Sequence, residues 1–174
     1  MAAALIELRA LDRHDADALH EFRVRNRAFL GPWEPLRDER YYTLRAARET
    51  IQAHELDRGD DRGYFFGVFA DRLVGFVNLS GVVRGAFANA YLGYAIDEEC
   101  NGHGFATAAV REATRTGFEE LGLHRVQAAV LPRNGGSLRV LAKAGFREEG
   151  LAKRYLRING VWEDHLLFAR TVED

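Results

Sequence analysis

Between Asn101 and Ala113 the chain reads NGHGFATAAVREA, two glycines one residue apart, directly before what the pattern predicts to be a helix. Glycine is costly in ordered backbone, so a pair at this place implies a chain that must turn sharply or come close to something. A dinucleotide fingerprint would use Gly102 and Gly104 as its first two glycines, but Thr107 holds the third position and a long β run precedes the motif. A purely structural strand-to-helix turn would use both glycines for conformation alone. A phosphate cradle would use them to present the amides of Phe105, Ala106 and Thr107 at a helix start, where unsatisfied N–H groups and the helix dipole favour an anion. His103 either adds a donor at the rim of that cradle or is a solvated loop histidine. A Walker loop is excluded, because no Gly-Lys-Ser/Thr follows.

The flanking elements follow from periodicity and turn chemistry. Leu5–Leu11 alternates as a first strand. Asp15–Leu30 reads as one helix, with Ala16, Leu19, Phe22, Asn26 and Phe29 near one face. The segment GPWEP, Gly31–Pro35, must end it. Thr43 reads as the N-cap of a second helix whose stripe is Leu44, Ala47, Ile51 and His54, ending soon after Glu55 and closed by GDDRG. Tyr64–Ala70 and Leu73–Ser80 are predicted strands joined by Asp71-Arg72 in a hairpin-length link. Gly81–Ala88 reads as a loop and Tyr91–Asp97 as a strand. Gly93 inside that strand marks either a bulge or close packing by Tyr91 or Tyr94. A helix over Phe105–Leu121, with Gly122 as its cap, leads to a strand over His124–Leu131 and a short helix over Gly136–Ala144. Asn159-Gly160, between YLRI and VWEDHLLFA, is a hairpin turn. The order predicts one mixed α/β (α+β) domain over residues 1–174, with a mostly antiparallel sheet flanked by helices.

Composition sets the limits. The 174 residues are 47% apolar and 29% charged with a net charge of -2, an ordinary globular balance without a broad basic face for nucleic acid or anionic lipid. Cys100 is the only cysteine, which excludes an internal disulfide and suits a reducing compartment. The opening MAAALIELRALDRHD is too quickly charged for a signal peptide, and no apolar run approaches the roughly 20 residues of a membrane span. A cytoplasmic protein is expected. The six histidines show no ligand spacing, so no metal is expected.

Asn101–Ala106 resembles the pyrophosphate turn, Gln/Arg-x-x-Gly-x-Gly/Ala, of the GNAT superfamily of N-acetyltransferases, with Asn101 where Gln or Arg is commoner. PRNGGSLRVLAKAGF is similar to that family's Asn-x-x-Ser motif, followed by a helix ending in Gly-Phe. FLGPWEPLRDE, VVRGAF, YLGYAID and the hairpin INGVWEDHLLFA resemble the RimJ/RimL branch, so the likeness covers nearly the whole chain in order.

The resemblance implies a sheet splayed between two neighbouring strands, acetyl-coenzyme A as donor and an amine as acceptor. Tyr94, Ala95 and Ile96 would lend backbone groups to the pantetheine and thioester, with an N–H near Ile96 as oxyanion donor. Transfer would be direct, through a tetrahedral intermediate that expels the thiolate, so Cys100 is a bystander. By motif position Ser137 is the acid or thiol partner, or a helix-start hydroxyl, and Asn134 contacts the cofactor's arm or caps the same helix. The base candidates are Glu34 and Asp164, each otherwise a surface charge. Leu156 stands where some relatives carry a carboxylate. Trp33 forms a lip for a peptide end or plugs the core edge. Arg84 meets an acidic acceptor, a cofactor phosphate or only solvent. The implied acceptor is the N-terminal α-amino group of a ribosomal or other protein. The alternatives are a small amine such as an antibiotic or polyamine, or a non-catalytic module that senses acetyl-coenzyme A. A monomer or a homodimer is compatible with the sequence.

Overall fold

The computed structural model describes residues 6–174, so Leu5 lies outside the described residues. Strand β1 (Glu7–Ala10) leads into helices α1 (Ala16–Arg25) and α2 (Arg27–Leu30), then α3 (Leu44–Gly59). Strands β2 (Gly63–Phe69), β3 (Leu73–Val83) and β4 (Asn89–Ile96) follow. The chain continues through α4 (Phe105–Glu119), β5 (Arg125–Val130), α5 (Gly135–Lys143), β6 (Arg147–Ile158) and β7 (Val161–Thr171).

The seven strands form one sheet in the order β1-β2-β3-β4-β5-β7-β6. Every neighbouring pair is antiparallel except β4 and β5. Side chains alternate across the strands, so both faces are apolar and both are covered. On one face Val77, Leu79 and Val126 pack with Ala109, Val110 and Ala113 of α4. On the other, Phe65 and Leu73 pack with Leu19 and Phe22 of α1 and with Ala47 and Ile51 of α3.

The parallel pairing of β4 with β5 covers only Asn89–Tyr91 against Arg125–Gln127. Beyond it each strand follows its outer neighbour: β4 stays on β3 as far as Ile96, and β5 stays on β7 as far as Val130. A wedge-shaped gap therefore opens in mid-sheet. Gly93 is not its cause through a bulge, because the β3–β4 register runs unbroken through Asn78 opposite Gly93. Nor do Tyr91 or Tyr94 crowd the position. A Cβ on Gly93 would lie 2.5 Å from Asn78 Oδ1, so the glycine leaves room for the polar side chain across the ladder, which would have to turn away from a larger residue.

Two other expectations change. The helix expected over Asp15–Leu30 breaks at Asn26, which is fully buried with its side chain turned inward. It then resumes to Leu30 and tightens into a 3-10 turn over Gly31–Trp33, with Pro32 in the first turn, where its missing N–H costs nothing. The second helix ends as expected, at Gly59, the first residue of GDDRG, and Thr43 caps its start, its Oγ1 accepting from Ala46 N at 3.2 Å. Part of the loop expected over Gly81–Ala88 is strand, because β3 crosses an irregularity after Ser80 and pairs Val83 with Asn89.

Candidate active site

The segment that delivers the glycine turn is anchored before it begins. Asp97 ends β4 and caps a 3-10 turn over Glu98–Cys100, its Oδ1 accepting from Glu99 N at 3.3 Å. The Asp97 side chain is fully buried, and its Oδ2 accepts from Arg25 Nε at 2.8 Å and Arg72 Nη1 at 2.6 Å. Burial pushes this carboxyl up, but the two guanidiniums outweigh it and hold the group below its ordinary range. Asn26 adds a second tie: its Oδ1 accepts from Glu98 N at 2.9 Å while its Nδ2 donates to Phe22 O at 3.0 Å.

The turn itself needs glycine. Gly102 and Gly104 have φ of 79° and 85°, a left-handed region that costs other L residues about 1–2 kcal/mol. A Cβ on Gly102 would meet nothing within 4 Å, so internal packing does not ask for glycine there. The first backbone bond of α4 runs from Ala108 N to Gly104 O at 3.0 Å, and no side chain caps the helix. The amides of Phe105, Ala106 and Thr107 precede that bond and gather at the head of a 15-residue helix. His103 is exposed beside them.

Tyr94 spans the gap between β4 and α5. Its hydroxyl lies 2.5 Å from Ser137 Oγ and 3.3 Å from Ser137 O. Burial drives the phenol up to about 12, with Ser137 pulling slightly the other way. Asn134 caps α5, its Oδ1 accepting from Ser137 N at 3.1 Å. From Leu92 to Ile96, β4 pairs only with β3, so the other backbone edge of Tyr94, Ala95 and Ile96 borders the gap.

A second group of residues joins the segment after β5 to the loop after α2. Arg133, after β5, donates to Pro32 O at 3.2 Å, lies 4.9 Å above the Trp33 ring and pairs with Glu163 at 2.7 Å. Trp33 is thus a half-buried wall between two segments rather than a plug in either core cluster. The Glu34 carboxyl is largely buried, 17% exposed, with Arg37 Nε at 3.7 Å. Burial raises its pKa above the ordinary carboxylate range, against the pull of Arg37 and Arg23. Arg23 is itself buried, donating to Thr50 Oγ1 at 2.8 Å and Tyr41 O at 3.3 Å.

Other candidates are engaged elsewhere. Asp164 accepts from Lys153 Nζ at 2.8 Å and Arg154 N at 2.9 Å, and these bonds hold it below its ordinary value. Arg84 pairs with Asp61 at 2.6 Å and donates to Leu121 O, which corrects its reading as a contact for acceptor, phosphate or solvent. Burial pushes the Cys100 thiol up, away from the thiolate a nucleophile needs. Leu156, half-exposed on β6, sits opposite Glu163 of β7.

An open wedge in a mostly antiparallel sheet, with an uncapped helix start at its mouth, defines the class. Residues 6–147 match the family model described as the Acetyltransferase (GNAT) domain. The chain belongs to the GNAT family of N-acetyltransferases. It is 42% identical over 167 residues to the probable N-acetyltransferase YjcK of Bacillus subtilis (strain 168), covering 94% of this chain and 92% of that protein. Over 170 residues it is 38% identical to the ribosomal protein uS5-alanine N-acetyltransferase of Escherichia coli (strain K12), covering 92% and 86%. The structure of Mycobacterium smegmatis RimJ in complex with CoA-disulfide superposes with a TM-score of 0.93 at 35% identity, over 97% of this chain and 82% of that one. Among the described residues no helix is long and apolar enough to cross a membrane.

Proposed function

We propose that this N-acetyltransferase moves the acetyl group of acetyl-coenzyme A to the α-amino group at a protein N-terminus, ribosomal proteins first. The observation that carries the reading is the wedge between β4 and β5, with the Gly102–Thr107 turn at one end and the Tyr94–Ser137 pair across it.

The residues present suit coenzyme A. The amides of Phe105, Ala106 and Thr107 would hold its pyrophosphate, and open space at Gly102 would let that group come within hydrogen-bond reach. The free backbone edge of Tyr94, Ala95 and Ile96 would hold its arm, as an added strand pairs with a sheet edge. Acetyl-coenzyme A supplies an activated thioester when bound. The 38% identity to a uS5-alanine N-acetyltransferase supports a protein N-terminus as acceptor.

The chain's own groups supply the proton chemistry. Ser137, at the start of α5, offers a hydroxyl and a helix N-terminus to negative charge on the leaving sulfur. Glu34 is the proton acceptor in preference to Asp164 at neutral pH: burial raises its proton affinity above that of an ordinary carboxylate, and Asp164 is pinned by a cation and an amide. An α-amino group, with a pKa of about 7.7–8.0, is already partly neutral there and needs only a modest base.

The test is incubation with acetyl-coenzyme A and a panel of peptides starting with alanine or serine, followed by mass spectrometry. Acetyl gain on the α-amine is the expected result. Acetylated polyamines or aminoglycosides beside inert peptides would assign the small-amine reaction. Tight coenzyme A binding with no thiol release on any acceptor would leave a binding module, the reading that Leu156 motivates.

A further inference from the structure

We infer that the Tyr94 hydroxyl is a positioning group for Ser137: it donates into Ser137 Oγ and so leaves the serine's own proton pointing into the gap between β4 and β5. This rests on the reading of Ser137 as the group that meets the leaving sulfur.

A serine hydroxyl has one hydrogen and can spend it in the wrong direction. Among the described residues Ser137 Oγ has one hydrogen-bond partner, Tyr94 Oη at 2.5 Å. If Ser137 donated to the phenol, its proton would face the wall of the gap and the sulfur would meet only lone pairs. If Tyr94 donates, the serine's hydrogen is free. Two features select the second arrangement. Tyr94's other acceptor, Ser137 O at 3.3 Å, is farther away and sits in the first turn of α5, where it also serves a helix bond. Phenols are also the stronger donors of the two hydroxyl types, and a donor that itself receives a bond is strengthened. Burial keeps the phenol protonated across the neutral range.

Neither hydroxyl loses its proton in this account, and no bond to the protein forms. The amine nitrogen bonds the acetyl carbon, the carbon–sulfur electron pair moves onto sulfur, and nitrogen's surplus proton leaves to Glu34 or water. Ser137 donates a hydrogen bond to the charge on sulfur, and Tyr94 holds Ser137 in the orientation that does so. Asn134, through Ser137 N at 3.1 Å, fixes the serine backbone from the other side.

The experiment compares Tyr94→Phe, Ser137→Ala and the double variant by two readouts. One is the pH at which the thiol of bound coenzyme A ionises, followed by ultraviolet thiolate absorption of the complex. The other is kcat and KM for acetyl-coenzyme A with a peptide acceptor. Each single variant is expected to raise the ionisation pH by about one unit and to lower kcat roughly tenfold, with KM within about twofold. The double variant is expected to match Ser137→Ala, because the two groups act as one. Ser137→Thr, which keeps a hydroxyl, is expected to keep the wild-type ionisation. A Ser137→Ala effect without a Tyr94→Phe effect, or additive losses in the double variant, would overturn the positioning role and leave the acetyltransferase reading intact. No effect from either single variant would overturn the assignment of Ser137 itself. If Tyr94→Phe fails to fold, loss of the wild-type ionisation in Ser137→Thr overturns the role, since the same bond is then available.

Discussion

The backbone amide of Asn159 donates to the carbonyl of Glu34 at 2.8 Å, joining the tip of the β6–β7 hairpin to the loop after α2. Residues 125 positions apart in sequence thus form one wall, and the Glu34 carboxyl behind that bond is withdrawn from water. Replacing it tests both its chemistry and its cost. Glu34→Gln is expected to lower kcat/KM about 100-fold at neutral pH and to remove the acidic limb of the pH–rate profile. Stability should move the other way. A carboxyl whose pKa is raised on folding stabilises fully below its unfolded value, and that contribution is lost as pH rises through the folded value. Thermal melts should therefore show a higher Tm for Glu34→Gln at neutral pH and little difference in strong acid.

Gly104→Val addresses the donor grip. At a φ of 85° a β-branched residue is strained, so the turn that presents the first amides of α4 would distort. Coenzyme A affinity by titration calorimetry should fall at least tenfold. The fold should survive, with a stability loss of about 1–2 kcal/mol by urea unfolding. Gly102→Ala, with open space around the added carbon, should show the smaller effect in the same direction.

Asp97 is the buried anion under the turn. Asp97→Asn leaves Arg25 and Arg72 without their shared charge and should cost about 3 kcal/mol at neutral pH. The sign with pH is fixed by the depressed carboxyl. Its stabilisation is complete above the unfolded carboxylate pKa and is lost as pH falls through the lower folded value. Urea unfolding of the two proteins should therefore converge as the solution is made strongly acid.

Asp164→Asn separates the two base candidates. The carboxylate holds Lys153 and the amide of Arg154, a residue with a φ of 48°, so its work is to fix the irregularity in β6. The variant should keep kcat within about twofold of wild type and unfold at a slightly lower urea concentration, read by steady-state kinetics and chemical unfolding. A large fall in kcat with unchanged stability would return Asp164 to the chemistry.

Much of this architecture was legible in residue types and spacing. Thr43 and Asn134 are caps whose short polar side chains reach an amide three residues on. Asn159-Gly160 turns the last hairpin with both residues at positive φ, as that dipeptide favours. Each of these depends on groups within a few residues of one another. The break at Asn26 was hidden, because helical periodicity treats a buried asparagine as a weak apolar position. Its real partner is Glu98 N, on a different element. Gly93 stands out in the strand pattern, but the side chain it leaves room for, Asn78, lies on the neighbouring strand.

The sequence by itself determined the order of elements, the glycine turn and the caps, since backbone conformation and short-range hydrogen bonding act between near neighbours along the chain. Only the tertiary structure decided which polar groups remain available for chemistry. Arg84, Asp164 and Asn134 are taken up by partners, Glu34 is desolvated, and Tyr94 is brought within 2.5 Å of a serine 43 residues away. Burial and through-space contact set protonation and hydrogen-bond direction, and both are properties of the packed sheet and helices.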